Sequence, residues 1–191
     1  PAEITSSIAA LCAELAPGTT PFYVDVTPKL DEPVNECFHV VNRHVDSAGG
    51  TAVIGWAIWE LPTVFVEAEF HAVWRSPTGQ YLDLSPKSTP TQRVFFLPDP
   101  SKVYEGFPIG NVRRAISPAP ELQLFFRALE AKYELMNRGE RAREHGQIEL
   151  VGSEAQEYHQ IEHAIAYYGA QVFNLHPIAG PYSPCLCGSG K

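Results

Sequence analysis

Three side chains in the first half of the chain have the types needed to cleave an amide: a thiol at Cys37, an imidazole at His71 and a carboxylate at Asp83. A thiolate attacks a carbonyl carbon, an imidazole carries the proton between sulfur and the leaving amine, and a carboxylate fixes the imidazole tautomer. Two further groupings could engage zinc. Cys185 and Cys187 flank one residue near the end of the sequence, a spacing that suits one edge of a metal ion better than a disulfide network. His159, Glu162 and His163 put two imidazoles one helical turn apart with a carboxylate that could serve as general base.

The elements that must position the first set can be read from periodicity. Ile4, Ile8, Leu11, Cys12 and Leu15 repeat at helical spacing until Pro17-Gly18, which places Cys12 on a buried face as a small core thiol. A short extended run, Phe22 to Val26, follows. A second helix is expected from near Asn35 to Gly49-Gly50, with Val34, Cys37, Val40, Val41 and Val45 on one stripe. Cys37 then falls in the first turn, capped by Asn35 or Asp31, where unpaired N–H groups and the positive dipole end favour a thiolate. Glu36 beside it opposes that effect.

Segments 51–61, 63–74 and 80–84 are rich in β-branched and aromatic residues and are broken by Pro62 and by Ser76-Pro77-Thr78-Gly79, so they read as strands. Their short connections imply an antiparallel sheet. Alternation along the middle strand puts Glu67, Glu69, His71 and Val73 on one face and Phe70 and Trp74 on the other. A hairpin turning at Thr78-Gly79 carries Asp83 back beside His71. Residues 92–97 add a strand, and Pro98 to Pro120 reads as a long irregular connection of the kind that carries function or covers a site. Two amphipathic helices close the domain. Leu122, Phe125, Phe126, Leu129, Tyr133 and Met136 mark the first; Tyr158, Ile161, Ile165, Tyr168 and Val172 mark the second.

The fold expected is therefore α+β: a central antiparallel sheet with N-terminal and C-terminal helices packed on it, as one domain over residues 1–178 followed by a tail, 179–191. A helix-borne Cys, a strand-borne His and an Asp on the next strand, in that chain order, resemble the papain-like cysteine hydrolases, and the compact spacing is most similar to their transglutaminase-like branch. The resemblance covers roughly Asn35 to Pro86. It implies Cys37 as nucleophile, His71 as base and Asp83 as its orienter, acting on a peptide or a glutamine side chain. The oxyanion would be held by the Cys37 N–H with Asn35 or Trp56, and Glu69 would support the histidine. Phe38 stands where many members of the family have Trp. The competing reading leaves Cys37 as a packed core thiol and pairs Glu69 with His71.

Pro184-Cys185-Leu186-Cys187-Gly188-Ser189-Gly190-Lys191 resembles the opening of the SEC-C motif, a small zinc hook that serves for docking or targeting. That resemblance implies a protein partner for the tail, and with it an alternative function as a non-catalytic binding or adaptor domain. The hook's closing ligand pair does not follow in this sequence, so zinc is expected there only if His176 or another molecule completes four ligands. His159-Gln160-Ile161-Glu162-His163 resembles the inverzincin signature, which implies a zinc peptidase as a further alternative. The two histidines, however, fall opposite the apolar stripe of their helix, and no acidic residue follows Glu162.

Composition narrows the classes. A hydrophobic fraction of 45% suffices for a folded core, and a formal net charge of −8 speaks against a nucleic-acid surface spread over the whole domain. No run is long and apolar enough for a membrane span, and the first residues lack a basic segment followed by an apolar one, so a cytoplasmic protein without a membrane partner is expected.

Overall fold

The computed structural model describes residues 1, 3–34, 36–89, 91–144 and 148–176, with helices and strands in one α+β chain. The element order is α1 (Ser6–Leu15), β1 (Phe22–Val26), α2 (Cys37–Ala48), β2 (Thr51–Leu61), β3 (Phe65–Arg75), β4 (Tyr81–Asp83), β5 (Arg93–Pro98), β6 (Val112–Ala115), α3 (Pro120–Met136), a 3-10 turn (Gly139–Arg143) and α4 (Gly152–Asn174). Every helix and strand expected from periodicity is present within a few residues of its expected ends, and β6 is additional. It lies inside the connection expected to be irregular. Its four residues include Arg113-Arg114 and no alternating apolar pattern, so nothing in its composition marks a strand.

The chain packs as two compact units. One comprises Ala10–Ile58 and Ala68–Asn111, and thus holds β1, β4, β5, α2 and the adjoining parts of β2 and β3. The strand order is β2-β5-β1-β4-β3-β6, and β2 also pairs directly with β3, which closes the first five strands into a small barrel. The sheet is mixed, where an antiparallel one was expected. β1 runs parallel to β4, with Asp25 opposite Leu82 and Val26 opposite Asp83. β1 is antiparallel to β5, and β5 to β2. Short turns dictate antiparallel pairing only for strands adjacent in sequence. β1 and β4 are separated by α2 and the β2–β3 hairpin, and nothing local sets their direction.

The β3–β4 hairpin pairs Trp74 with Leu82 and Arg75 with Tyr81. Its turn is closed by Ser76 N–H to Gln80 O (2.8 Å) and Gly79 N–H to Ser76 O (2.9 Å), with Gly79 at φ 91°. Along β3 the residues Ala68, Phe70, His71, Ala72 and Val73 are all buried, so both faces of this stretch are covered. Alternation here does not separate core from solvent. Val24, Trp56, Ala57, Ile58, Val94, Phe95, Phe96 and Leu97 complete the interior of this unit with Val40 and Val41 of α2.

The other unit holds Pro1–Ala9, Trp59–Glu67 and the described residues from Val112 on. α3 and α4 pack together, and Val64, Phe65, Leu122, Phe125 and Val172 form its apolar centre. Thr5 opens α1 by accepting from the Ile8 N–H at 3.3 Å, while its hydroxyl donates to Glu60 at 2.9 Å. Arg113 of β6 pairs with Glu67 of β3 at 2.6 Å.

At Gly55, where β2 crosses β5, a Cβ would stand 2.1 Å from the Leu97 carbonyl oxygen and 2.9 Å from Phe96 Cζ. Backbone cannot retreat from that contact without opening the barrel. Gly55→Ala should therefore lower stability by about 1–3 kcal/mol in chemical denaturation. An unchanged midpoint would show that the β2–β5 approach is looser than described.

Candidate active site

Cys37 is the first residue of α2, where the sequence placed it, and it is 7% exposed. The preceding Glu36 makes no side-chain cap; its carbonyl accepts from Val40 N–H at 3.0 Å. Asn35, proposed both as cap and as oxyanion donor, lies outside the described residues.

His71 and Asp83 meet as the hairpin predicts. His71 Nε2 is 3.0 Å from Asp83 Oδ2, with the two side chains 2% and 0% exposed. The imidazole therefore pairs with Asp83, and Glu69, half-buried on the same strand, is not needed to hold that nitrogen. Two groups not anticipated from sequence complete the carboxylate's shell. The Ser85 N–H donates to Oδ1 at 3.0 Å, and the Lys87 ammonium lies 2.8 Å from Oδ2. Lys87 follows Asp83 by four residues, a spacing that signals an ion pair only on a helix, and this segment is irregular.

The electrostatics couple all three predicted catalytic residues. Burial by itself would strip the proton from His71, but the charge of Cys37 and the bond and charge of Asp83 outweigh it and push the imidazole pKa up to about 10. Burial would likewise raise Asp83, and the His71 and Lys87 charges hold it well below the usual carboxylate range instead. Cys37 acts on the ring both by charge and as a hydrogen-bonding group. His71 Nδ1 is nonetheless buried without a partner in regular hydrogen-bond geometry among the described residues.

Trp56 is committed elsewhere. Its indole N–H donates to Asp99 Oδ2 at 2.9 Å, so it is not free to serve an oxyanion in this structure. The long connection beginning at Asp99 instead brings Tyr104 to the site. The Tyr104 ring stacks on Phe38 with centroids 4.0 Å apart and planes 3° from parallel. Burial, then the charges of Glu36 and Cys37, push its phenol pKa up. A cavity of about 280 Å³ lies on the same segment, lined by Ser101, Lys102, Val103, Glu105, Phe107 and Ile109.

The zinc sites fare differently. Cys185 and Cys187 lie outside the described residues. His159 and His163 are exposed on α4, as the helical wheel predicts, and Glu162 pairs with Lys132 at 2.6 Å. Among the described residues no group of three or more His, Cys, Asp or Glu could hold a metal ion. His176 Nδ1 donates to the Pro62 carbonyl at 3.0 Å. No helix among the described residues is long and apolar enough to cross a membrane.

No protein-family model matches the chain, and no curated protein or solved structure matches it significantly.

The His71 pair should leave a signature in stability against pH. A folded-state pKa raised to about 10 contributes stability that is complete below the unfolded value of about 6.5 and disappears as pH rises through about 10. The depressed Asp83 pKa acts in the opposite sense: its contribution is complete above about 4 and is lost on acidification. The Tm gap between the protein and its His71→Gln variant should thus be widest near pH 5–6 and should narrow toward pH 10. A gap independent of pH would mean that His71 is not held charged. Tyr104→Ala should increase the rate of Cys37 alkylation at least about threefold, because it removes the ring stacked on Phe38, the neighbour in sequence of a thiol that is now buried.

Proposed function

We propose that this protein is a cysteine-dependent hydrolase or acyl transferase that acts on an amide, a peptide bond or a glutamine side chain, with a papain-like or transglutaminase-like arrangement of Cys37, His71 and Asp83. The observation that carries the reading is the imidazole of His71, bonded through Nε2 to a buried carboxylate and acted on by a thiol at a helix start.

The chemistry follows from that order. A charged imidazolium beside sulfur favours the thiolate, which attacks the carbonyl carbon and moves an electron pair onto oxygen. The amide N–H of Cys37, at the start of α2, is placed to stabilise that oxyanion, with Asn35 as a second candidate donor. The imidazolium returns its proton to the departing amine, which leaves a thioester on Cys37 and a neutral ring. Water, or a second amine in a transfer reaction, then attacks the thioester while His71 Nδ1 takes its proton, and the thiolate is expelled. Asp83 keeps Nε2 protonated through both halves, so the exchangeable proton stays on the sulfur side of the ring. A thiol nucleophile is kept in its active form by a reducing compartment, in keeping with the cytoplasmic location expected for the chain, and its substrates would be peptides or proteins.

Cys12 is an internal control, because it is a free buried thiol whose pKa is raised by burial alone. With iodoacetamide at pH ~6 and peptide mapping, Cys37 should label at least about tenfold faster than Cys12 in the folded protein. On glutamine-containing peptides, release of ammonia or of a peptide amine should be abolished by Cys37→Ala and reduced at least about 100-fold by His71→Gln. Full turnover by Cys37→Ala, or labelling of Cys37 only after unfolding, would leave a packed thiol and return the adaptor reading to first place.

A further inference from the structure

We propose that Lys87 is a positioning residue of this site: its ammonium shares one carboxylate oxygen of Asp83 with His71 and so sets how firmly the imidazolium is held. The inference rests on the Cys37–His71–Asp83 reading and concerns how that site is tuned.

The geometry is specific. Lys87 Nζ lies 2.8 Å and His71 Nε2 3.0 Å from the same atom, Asp83 Oδ2, while Oδ1 is taken by the Ser85 N–H at 3.0 Å. The Lys87 side chain is 15% exposed and the carboxylate is 0% exposed, so water competes little for that oxygen. The charged and titratable groups acting on the pair come from three directions: Cys37 from α2, Asp83 at the end of β4, and Lys87 from the segment after it. A carboxylate serving the imidazole alone would give it the whole negative charge. Sharing Oδ2 with an ammonium divides that charge and sets a like charge close to the ring. The ammonium thus has two opposing effects that together set the hold on the imidazolium. It keeps Asp83 ionised, and it prevents the imidazolium from being held so tightly that it no longer releases its proton to a leaving amine or accepts one from water.

This can be read directly on His71 by NMR titration of the labelled ring, without any substrate. Removing the ammonium in Lys87→Met should move the His71 transition up by about one pH unit, and Lys87→Arg, which keeps the charge, should restore it. The same comparison in a Cys37→Ala background removes the thiolate and should show a shift of the same sign. Lys87→Gln is the second variant if the methionine form folds poorly. A transition that stays in place in both uncharged variants, with only Tm lowered, would show a packing role and overturn the proposal. If His71 moves as expected while no amide substrate is ever turned over, the role of Lys87 stands and the hydrolase reading falls, so the two fail separately. Where turnover is measured, the alkaline limb of kcat/KM should move with the ring, which a purely structural lysine would not cause.

Discussion

The contact between His71 and Asp83 constrains most of this structure. Two groups that carry charge are almost fully enclosed, and removing charges from water costs several kcal/mol per ion unless bonds and opposite charges compensate. The compensation comes from a backbone N–H and an ammonium, both in the irregular stretch after β4, and from the thiol at the start of α2. The hairpin register must then be right to the residue. Extending the Trp74–Leu82 pairing by one step sets Val73 opposite Asp83, and His71, two residues along, is its diagonal neighbour on the same face. A slip of one residue would turn the imidazole to the opposite face of the sheet from its carboxylate. The parallel β1–β4 pair, with Val26 beside Asp83, holds the other edge of the short strand that carries the acid.

A second set of contacts holds the start of α2. Asp99 accepts from the Trp56 indole; Trp56 lies 5.4 Å from Phe70, Phe70 5.0 Å from Phe38, and Phe38 4.0 Å from Tyr104, all between ring centroids. The path leaves the barrel at Asp99 and returns five residues later at Tyr104, passing through β2, β3 and the first turn of α2. Phe38 is next in sequence to Cys37, so the aromatic path fixes the start of α2 against β3, the strand that carries His71. Phe at this position, a departure from the pattern of the resembling family, has a definite task here: a flat ring that stacks on Tyr104 and packs, tilted by 37°, against Phe70. Positioning groups packed into the core in this way hold a site more rigidly than loops do.

What sequence made legible was whatever depends on local periodicity. Alternation along residues 66–74 and the Thr78-Gly79 turn sufficed to bring Asp83 to His71, and the apolar stripe of 34–45 sufficed to put Cys37 at a helix start. What escaped depends on segments without a period. Lys87 reaches Asp83 from an irregular stretch, so its spacing carried no meaning in advance. Tyr104 sits in a connection that could be marked as one that covers a site, but a single aromatic in a loop does not reveal the ring on which it stacks. The Trp56 indole was a reasonable oxyanion donor by type, and only the fold shows that Asp99 claims its N–H first. The β1–β4 direction was hidden for the same reason: a pairing between strands far apart in sequence leaves no local trace.

The choice between a reacting histidine and a packed one turns on the ring's second nitrogen. A histidine buried for stability alone is expected to have both nitrogens bonded, since an unsatisfied polar atom in the core costs about 1–3 kcal/mol. Among the described residues Nε2 is secured and Nδ1, equally buried, lacks a regular partner, although a hydroxyl or carbonyl there would complete the ring at little cost. Besides Asp83, the Cys37 thiol acts on the ring, a weak hydrogen-bonding group but a good nucleophile once ionised. An arrangement that spends its strongest bonds on one nitrogen and leaves the other without a regular partner stabilises the fold less than it could. It is what the proposed proton exchange with a thiol would require, because the nitrogen that moves the proton must not be held by anything stronger than the group it serves.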